Sequence, residues 1–115
     1  IQDIPNMKTL YLVKSSPIAG REEDFNQWYN DIHLNEVLQI DGFKSAQRFK
    51  VTDVQIQSNQ SHSYLAIYEI DNKDILSTVN NLRRATWLNM SDAIDMDNLE
   101  ISIMKSITKE KLSSS

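Results

Sequence analysis

Two side chains that can exchange protons with a ligand lie four positions apart within residues 28–33. Tyr29 and His33 would share one face of an α-helix, flanked by Trp28, because residues four apart in a helix are neighbours. A histidine takes up and releases protons near neutral pH, and a phenol can donate a hydrogen bond to a carbonyl oxygen that gains enolate character. The spacing predicts an acid–base pair in one pocket. The alternative is that this segment only packs a core, as aromatic stripes at helical spacing usually do.

Three charged side chains are candidates to support this pair. Asp31 and Glu36 are close enough in sequence to orient the imidazole, as a carboxylate does in acid–base sites, although aspartates more often lie on a solvated helix face. Glu36 would fall on the apolar stripe of an uninterrupted helix, so either the helix bends after His33 or this carboxylate faces a polar cavity. Arg48 could bind an anionic or carbonyl substrate, but a solvated strand face is the commoner place for an arginine.

Metal and cofactor chemistry has no support in the sequence. Cysteine is absent, which excludes disulfides, thiolate metal sites and a cysteine nucleophile. Asp92, Asp95 and Asp97 lack the spacing and the distal glutamate of a calcium loop, which predicts a solvated acidic turn. No glycine-rich nucleotide loop or zinc-protease motif occurs. We predict a site without metal or cofactor, and we expect His62, in a polar segment, to be exposed.

The composition is that of one globular domain. The chain has 115 residues, 40% hydrophobic and 24% charged, with a formal net charge of −4. The negative charge offers no cationic surface for nucleic acid, and the apolar runs are far below the roughly 20 residues that cross a bilayer. With no cysteine and no secretory pattern, we expect a cytoplasmic protein that binds neither nucleic acid nor membrane. We expect residues 1–6 to be an extension, 7–108 a single domain and 109–115 a flexible tail.

The hydrophobic pattern predicts four strands and two helices. Strands are expected at residues 7–14, 43–51, 63–70 and 99–107. The first helix is expected from near Arg21 to Asp41–Gly42, and the second from an Asp71–Asn72 cap to about Ala85, with Ile75, Leu76, Val79 and Leu82 on one face. The first helix would bury one stripe, formed by Phe25, Trp28, Tyr29 and Ile32.

The order of these elements, β-α-β-β-α-β, places both helices on one face of a four-stranded antiparallel sheet in an α+β fold. Lys44, Arg48 and Lys50 should face water on the second strand, opposite Phe43, Phe49 and Val51. The third and fourth strands carry more apolar side chains than one helix-covered face can bury: Tyr64, Ala66, Tyr68, Ile70, Leu99, Ile101 and Ile103. We expect a second copy to cover the other face, because an exposed apolar sheet would aggregate.

The first helix and the strand after it also carry a family resemblance. Trp28, Tyr29 and His33, followed by Gly42–Phe43 and Arg48–Phe49, resemble the signature of EthD-like proteins in the dimeric α+β barrel superfamily. The resemblance implies a ferredoxin-like protomer that dimerises through its sheet, with a pocket between each sheet and its own helices. It also implies that His33 and Tyr29 are acid–base groups, as in cyclase-like members. The asparagine, tryptophan and histidine arrangement of the haem-degrading branch is missing, which disfavours haem.

Together, these observations predict a small homodimeric enzyme without a cofactor that acts on an apolar carbonyl or polyketide-like compound. His33 would remove a proton next to the carbonyl, Tyr29 would steady the enolate oxygen, and Trp28 with Phe25 would shape the wall. Glu36 and Arg48 are the further candidates for binding the substrate. Cyclisation, dehydration, isomerisation and decarboxylation all fit this chemistry. The alternative is a non-catalytic dimer that binds a small apolar ligand or supports a stress response, and a cofactor-free monooxygenase is a third possibility.

Overall fold

The computed structural model describes residues 7–114 and has the predicted order of elements. These are β1 (Thr9–Ser15), α1 (Glu22–Trp28), a π-helical turn (Tyr29–His33), α2 (Leu34–Val37), β2 (Phe43–Lys50), β3 (Tyr64–Ile70), α3 (Ile75–Arg83) and β4 (Glu100–Lys105). The sheet order is β2-β3-β1-β4, and every neighbouring pair is antiparallel. This ferredoxin-like topology confirms the predicted α+β fold.

The described C-terminal residues add no regular structure to this domain. The predicted extension, residues 1–6, lies outside the described residues. Residues 109–114 are exposed and belong to no helix or strand. Within residues 7–114, no helix has both the length and the apolar character that a membrane span requires.

The core lies between the two central strands and the first helix. The first helix consists of α1, the π-helical turn and α2, which follow one another without a break. Alternate residues of β3 face the helices and are at most 6% exposed: Tyr64, Ala66, Tyr68 and Ile70. Phe25 of α1 packs against them and is fully buried. Burying a large apolar side chain contributes about 1.5–3 kcal/mol, so this layer stabilises the sheet against the first helix and fixes the position of the helix over the central strands.

The π-helical turn changes which side chains of the first helix face the core. A π-helical turn holds one more residue than an α-helical turn, so the apolar stripe advances by one position after it. Val37 is therefore 3% exposed, whereas Ile32 is 43% exposed. The prediction that Ile32 is buried is wrong. The wider turn, rather than a bend after His33, takes Glu36 off the apolar stripe.

A bulge in β2 reverses the predicted faces of that strand. The pairing with β3 shifts between Phe43 and Ser45, which leaves one extra residue in β2. Beyond the bulge, Arg48 lies opposite the buried Ala66 and faces the helices, while Phe49 is 43% exposed on the other face. The predictions of a solvated Arg48 and a buried Phe49 are therefore wrong.

The second of the two predicted helices corresponds to α3, which begins later than predicted. Its cap is Asp74, whose side chain accepts a hydrogen bond from Ser77 N at 3.0 Å, so the predicted Asp71–Asn72 cap is wrong. Thr78 is 3% exposed and faces the core, whereas Leu76, predicted on the apolar face, is 67% exposed.

The first helix ends at Val37, earlier than the predicted stop at Asp41–Gly42. Gly42 ends the turn that follows, and a glycine is required there for two reasons. Its φ is +102°, which L side chains rarely adopt. A Cβ at this position would lie 2.1 Å from Thr78 Oγ1, so α3 packs directly against the turn.

The outer face of the sheet, away from the helices, carries its own apolar set. The residues that suggested an uncovered face lie on the helix side instead, since Ile101 and Ile103 pair with Val13 and Tyr11. The alternate positions give the outer face Leu10, Leu12, Phe49, Leu65, Ile67 and Met104. The expectation of an apolar outer face therefore rested on the wrong residues, although such a face is present.

Candidate functional site

A cavity of about 190 Å³ lies between the first helix, the sheet and residues 86–98, which we call the strap. Most of its lining is apolar: Val13, Val37, Leu82, Leu88, Met90, Ile94, Met96, Leu99 and Ile101. The remaining lining residues are aromatic: Tyr11, Trp28, Tyr29, His33 and Tyr68. An apolar cavity of about 150 Å³ can bind benzene, so this volume suits a ligand of about one ring.

His33 lies in the wall of this cavity, between two aromatic rings. It stacks on Trp28, with ring centroids 4.5 Å apart and an interplanar angle of 24°, and meets Tyr29 edge-on at 5.1 Å. Within residues 7–114, its buried Nδ1 has no hydrogen-bond partner. Burial lowers the pKa of His33 from 6.5 to about 4, against the weaker opposing effect of the Glu36 charge. The imidazole is therefore uncharged at neutral pH.

Three tyrosines add phenol groups to the apolar lining. Tyr11 of β1 pairs directly with Tyr68 of β3, and their rings are 5.9 Å apart. Burial raises the pKa of Tyr11, Tyr29 and Tyr68, and for Tyr68 the neighbouring Tyr29 adds to the rise. All three phenols therefore stay protonated near neutral pH and can donate hydrogen bonds. Tyr11 and Tyr68 were not predicted as site residues. The signal that could have found them is their position on the buried face of the two central strands, where every second residue points toward the helices.

Arg48 and Phe25 lie behind Tyr29 rather than in the cavity wall. The guanidinium carbon of Arg48 is 4.3 Å from the centroid of the Tyr29 ring, which is a cation–π contact. Arg48 also donates hydrogen bonds to Asn26 Oδ1 at 3.0 Å and Asn30 Oδ1 at 2.7 Å. Phe25 is fully buried in the core. Neither residue is among the cavity lining, so the structure does not bring these two predicted substrate-binding residues to the site.

Glu36, predicted to orient the imidazole or to bind substrate, is not among the cavity lining and instead binds the strap. Its carboxylate accepts hydrogen bonds from Asn89 N at 2.8 Å and from Asn89 Nδ2 at 2.6 Å. Glu36 affects His33 through its charge alone. The side chain of Asp31 is exposed, as predicted for a solvated face. Neither of these two carboxylates hydrogen-bonds to Nδ1 of His33, so neither orients that nitrogen.

The acidic part of the strap is held at its surface by ordinary protein contacts. Asp92 pairs with Arg21 at 3.0 Å, and Asp95 accepts a hydrogen bond from Asp97 N at 3.2 Å. Over the part of the chain that the structure describes, no group of three or more His, Cys, Asp or Glu side chains could hold a metal ion. The absence of a metal or cofactor from the working protein stays a prediction.

His62 is buried, so the prediction that it is exposed is wrong. Its side chain is 3% exposed, and Nδ1 lies 2.8 Å from Ser61 Oγ and 3.1 Å from Glu100 Oε2. Nε2 lies 3.0 Å from the carbonyl oxygen of Asn98. The residues that bury His62 come from β4 and the segment before it, which a reading of its own polar segment could not reveal.

Comparison with known proteins gives a family but no named relative. Neither the curated proteins nor the solved structures contain a match to this chain. A family model described as "Domain of unknown function (DUF4286)" matches residues 8–83, which run from β1 through α3 and include Tyr29 and His33. Because the match covers more than half of the chain, the protein belongs to the DUF4286 family.

Proposed function

We propose that this protein is a cofactor-independent enzyme that moves protons on a small, uncharged, apolar carbonyl compound. The observation that carries the proposal is His33, an uncharged imidazole with an unpartnered Nδ1 in an apolar cavity that also holds three phenols. Buried ionisable groups with shifted pKa values are common at active sites. The resemblance to EthD-like proteins supports the same chemistry, which includes cyclisation, dehydration, isomerisation and decarboxylation.

The proposed reaction begins with proton transfer from carbon to nitrogen. The neutral imidazole of His33 takes a proton from the carbon next to the carbonyl. The electron pair of that C–H bond forms the C=C bond of the enolate, and the π electron pair of the carbonyl moves to its oxygen. A phenol of the cavity donates a hydrogen bond to this enolate oxygen, and Tyr68 and Tyr29 are the candidates. The imidazolium then returns its proton to the rearranged product. Because burial makes the imidazolium a strong acid, this second transfer is favourable.

A non-catalytic ligand-binding protein is the second candidate, and the same histidine favours it. A group with a pKa of about 4 is a weak base, and catalytic bases work best with a pKa near the working pH. A ligand that donates a hydrogen bond to Nδ1 would satisfy this buried atom without any reaction.

The test of this proposal uses cyclohexanone, a ketone of one ring with acidic protons next to the carbonyl. NMR in deuterium oxide would follow exchange of those protons with and without protein. We expect the protein to accelerate the exchange, His33→Gln to abolish the acceleration, and Tyr68→Phe to reduce it. Tyr64→Phe is the matched control, because Tyr64 packs in the core and does not line the cavity. Binding of the probe without exchange would leave the ligand-binding candidate, and neither binding nor exchange would contradict both.

We further propose that the working protein is a homodimer in the cytoplasm. The apolar outer face supports a dimer, since its central residues Leu12 and Ile67 pair with each other and face away from the helices. The absence of cysteine agrees with a reducing compartment. Sedimentation should give a dimer for the parent chain and a folded monomer for Leu12→Lys. A stable monomer of the parent chain at micromolar concentration would contradict the dimer.

A further inference from the structure

One residue of the strap, Asn89, is tied to the first helix by three hydrogen bonds. Trp28 Nε1 donates to the Asn89 carbonyl oxygen at 2.7 Å, and Glu36 accepts from both the backbone and the side-chain nitrogen of Asn89. The two bonds to the carboxylate are charge-assisted, and such bonds are about twice as strong as neutral ones. The middle of the strap is therefore held to the helix chiefly through a single residue.

The strap forms much of one wall of the cavity. Leu88, Met90, Ile94 and Met96 all line it. Met90 is 53% exposed and Met96 is 57% exposed, so these strap residues line the cavity and also face solvent. On the far side of Asn89, the strap is attached independently, through Ile18 N to the Ala93 carbonyl oxygen at 2.7 Å. Movement at Asn89 therefore does not require this second attachment to break.

We propose that Glu36 and Trp28 form a latch on Asn89 that controls access to the cavity. Release of Asn89 lets residues around Leu88 and Met90 move away from the helix and opens the wall. Trp28 also stacks on His33, so one side chain of the latch contacts the proposed proton-transfer group directly. Glu36 is a positioning residue, because it acts through Asn89. This inference rests on the proposed function in one respect: both assume that the ligand binds in this cavity.

The test uses a single thiol at the floor of the cavity. The chain has no cysteine, so Val13→Cys introduces the only thiol, at a lining position that is 8% exposed. Iodoacetamide should label the thiol of the Val13→Cys protein slowly while the latch is closed. Loss of one charge-assisted hydrogen bond is worth on the order of a tenfold change in an equilibrium, so adding Glu36→Ala should raise the labelling rate at least about tenfold.

Two further variants separate the latch from a general loss of stability. Asp31→Ala removes an exposed carboxylate of the same helix that makes no contact with Asn89 and should leave the labelling rate unchanged. Glu36→Gln keeps an acceptor for the Asn89 backbone N–H and should give an intermediate rate. Urea unfolding of each variant shows whether labelling follows local opening or global unfolding. Equal labelling rates in the Val13→Cys protein with and without Glu36→Ala would overturn the latch.

A second measurement covers the case in which Val13→Cys does not fold. Hydrogen exchange of the Asn89 amide can be followed in the otherwise unchanged chain, since this N–H is the one bonded to Glu36. We expect Glu36→Ala to speed its exchange about tenfold or more, while amides of β3 keep their rates. An unchanged Asn89 rate would also overturn the latch. Neither measurement needs a substrate, so failure of the latch and failure of the proposed enzyme are distinguishable.

Discussion

The two histidines of this chain are both largely buried, yet their surroundings are opposite. His62 has polar partners for both ring nitrogens: Nε2 donates to the carbonyl oxygen of Asn98, and Nδ1 lies between Ser61 Oγ and Glu100 Oε2. A carbonyl oxygen can only accept, so Nε2 must carry the proton. His33 lies among aromatic and aliphatic side chains, and no residue of the described range 7–114 hydrogen-bonds to its Nδ1.

This difference separates a structural histidine from a candidate functional one. Buried polar atoms in folded proteins are nearly always hydrogen-bonded, because an unpaired one costs about 1–3 kcal/mol. The contacts of His62 meet this requirement and connect the β2–β3 loop to β4. His33 does not meet it, and the cavity beside it can hold the missing partner. Burial alone would have favoured His62, which is the more buried of the two, whereas the hydrogen-bond partners single out His33.

The largest effect we expect is the pH dependence that His33 gives to stability. Its pKa is about 4 in the folded chain and 6.5 ordinarily, so between these values the unfolded chain binds a proton that the folded chain does not. The contribution of His33 is present above pH 6.5 and is lost as pH falls through 4, and at about 1.4 kcal/mol per unit it amounts to at most about 3 kcal/mol. Urea unfolding measures the free energy of unfolding at pH 7 and at pH 4. Between these two values, His33→Gln should lose about 3 kcal/mol less of this free energy than the parent protein. Identical losses in both proteins would contradict the proposed environment of His33.

The second prediction concerns His62 and is smaller. His62→Leu leaves the Asn98 carbonyl oxygen and the Ser61 hydroxyl without their ring partner, and an unsatisfied buried group costs about 1–3 kcal/mol. We expect a loss of about 2 kcal/mol in the free energy of unfolding at pH 7, measured by urea. Ser61→Ala, which keeps the Asn98 contact, is the control and should lose less than about 1 kcal/mol. A His62→Leu protein as stable as the parent would mean that these contacts are not structural.

The third prediction makes the same substitution at His33, where the expected cost is smaller still. Leucine at this position removes an unpaired buried nitrogen from an apolar cavity and loses the stacking on Trp28. These effects oppose each other, so we expect His33→Leu to lie within about 1 kcal/mol of the parent at pH 7. A small change would show that His33 is not required for stability, which agrees with the functional role proposed for it. A loss as large as that of His62→Leu would make His33 a structural residue as well.

The sequence predicts the framework of the site because that framework rests on local patterns. Alternation and helical periodicity give the order of the elements, and that order specifies a sheet with helices on one face. The four-residue spacing brings Tyr29 and His33 to one side of a helix, and their rings are indeed 5.1 Å apart. The order of the elements and the proximity of Tyr29 to His33 both depend on residues that are close together in the chain. Over such short distances, local patterns are enough to predict the structure.

The rest of the site depends on contacts between distant residues or on small irregularities. Glu36 meets Asn89 across 53 positions, and the phenols of Tyr11 and Tyr68 come together only through the β1–β3 pairing. The bulge in β2 moves Arg48 from the predicted wet face to the helix face. No periodic pattern contains these contacts, because each one requires the register between strands or the path of the strap.

The π-helical turn is the irregularity with the most direct bearing on the two histidines, because it ends at His33. It predicts the smallest effect of the four: Ile32→Ala should change the free energy of unfolding by less than about 0.5 kcal/mol, since Ile32 is 43% exposed. An uninterrupted α-helix would bury Ile32, and the same substitution would then cost about 2–5 kcal/mol. Val37→Ala is the matched control, because Val37 is 3% exposed and should lose about 2 kcal/mol. Comparable losses in both variants would place Ile32 in the core and contradict the π-helical turn.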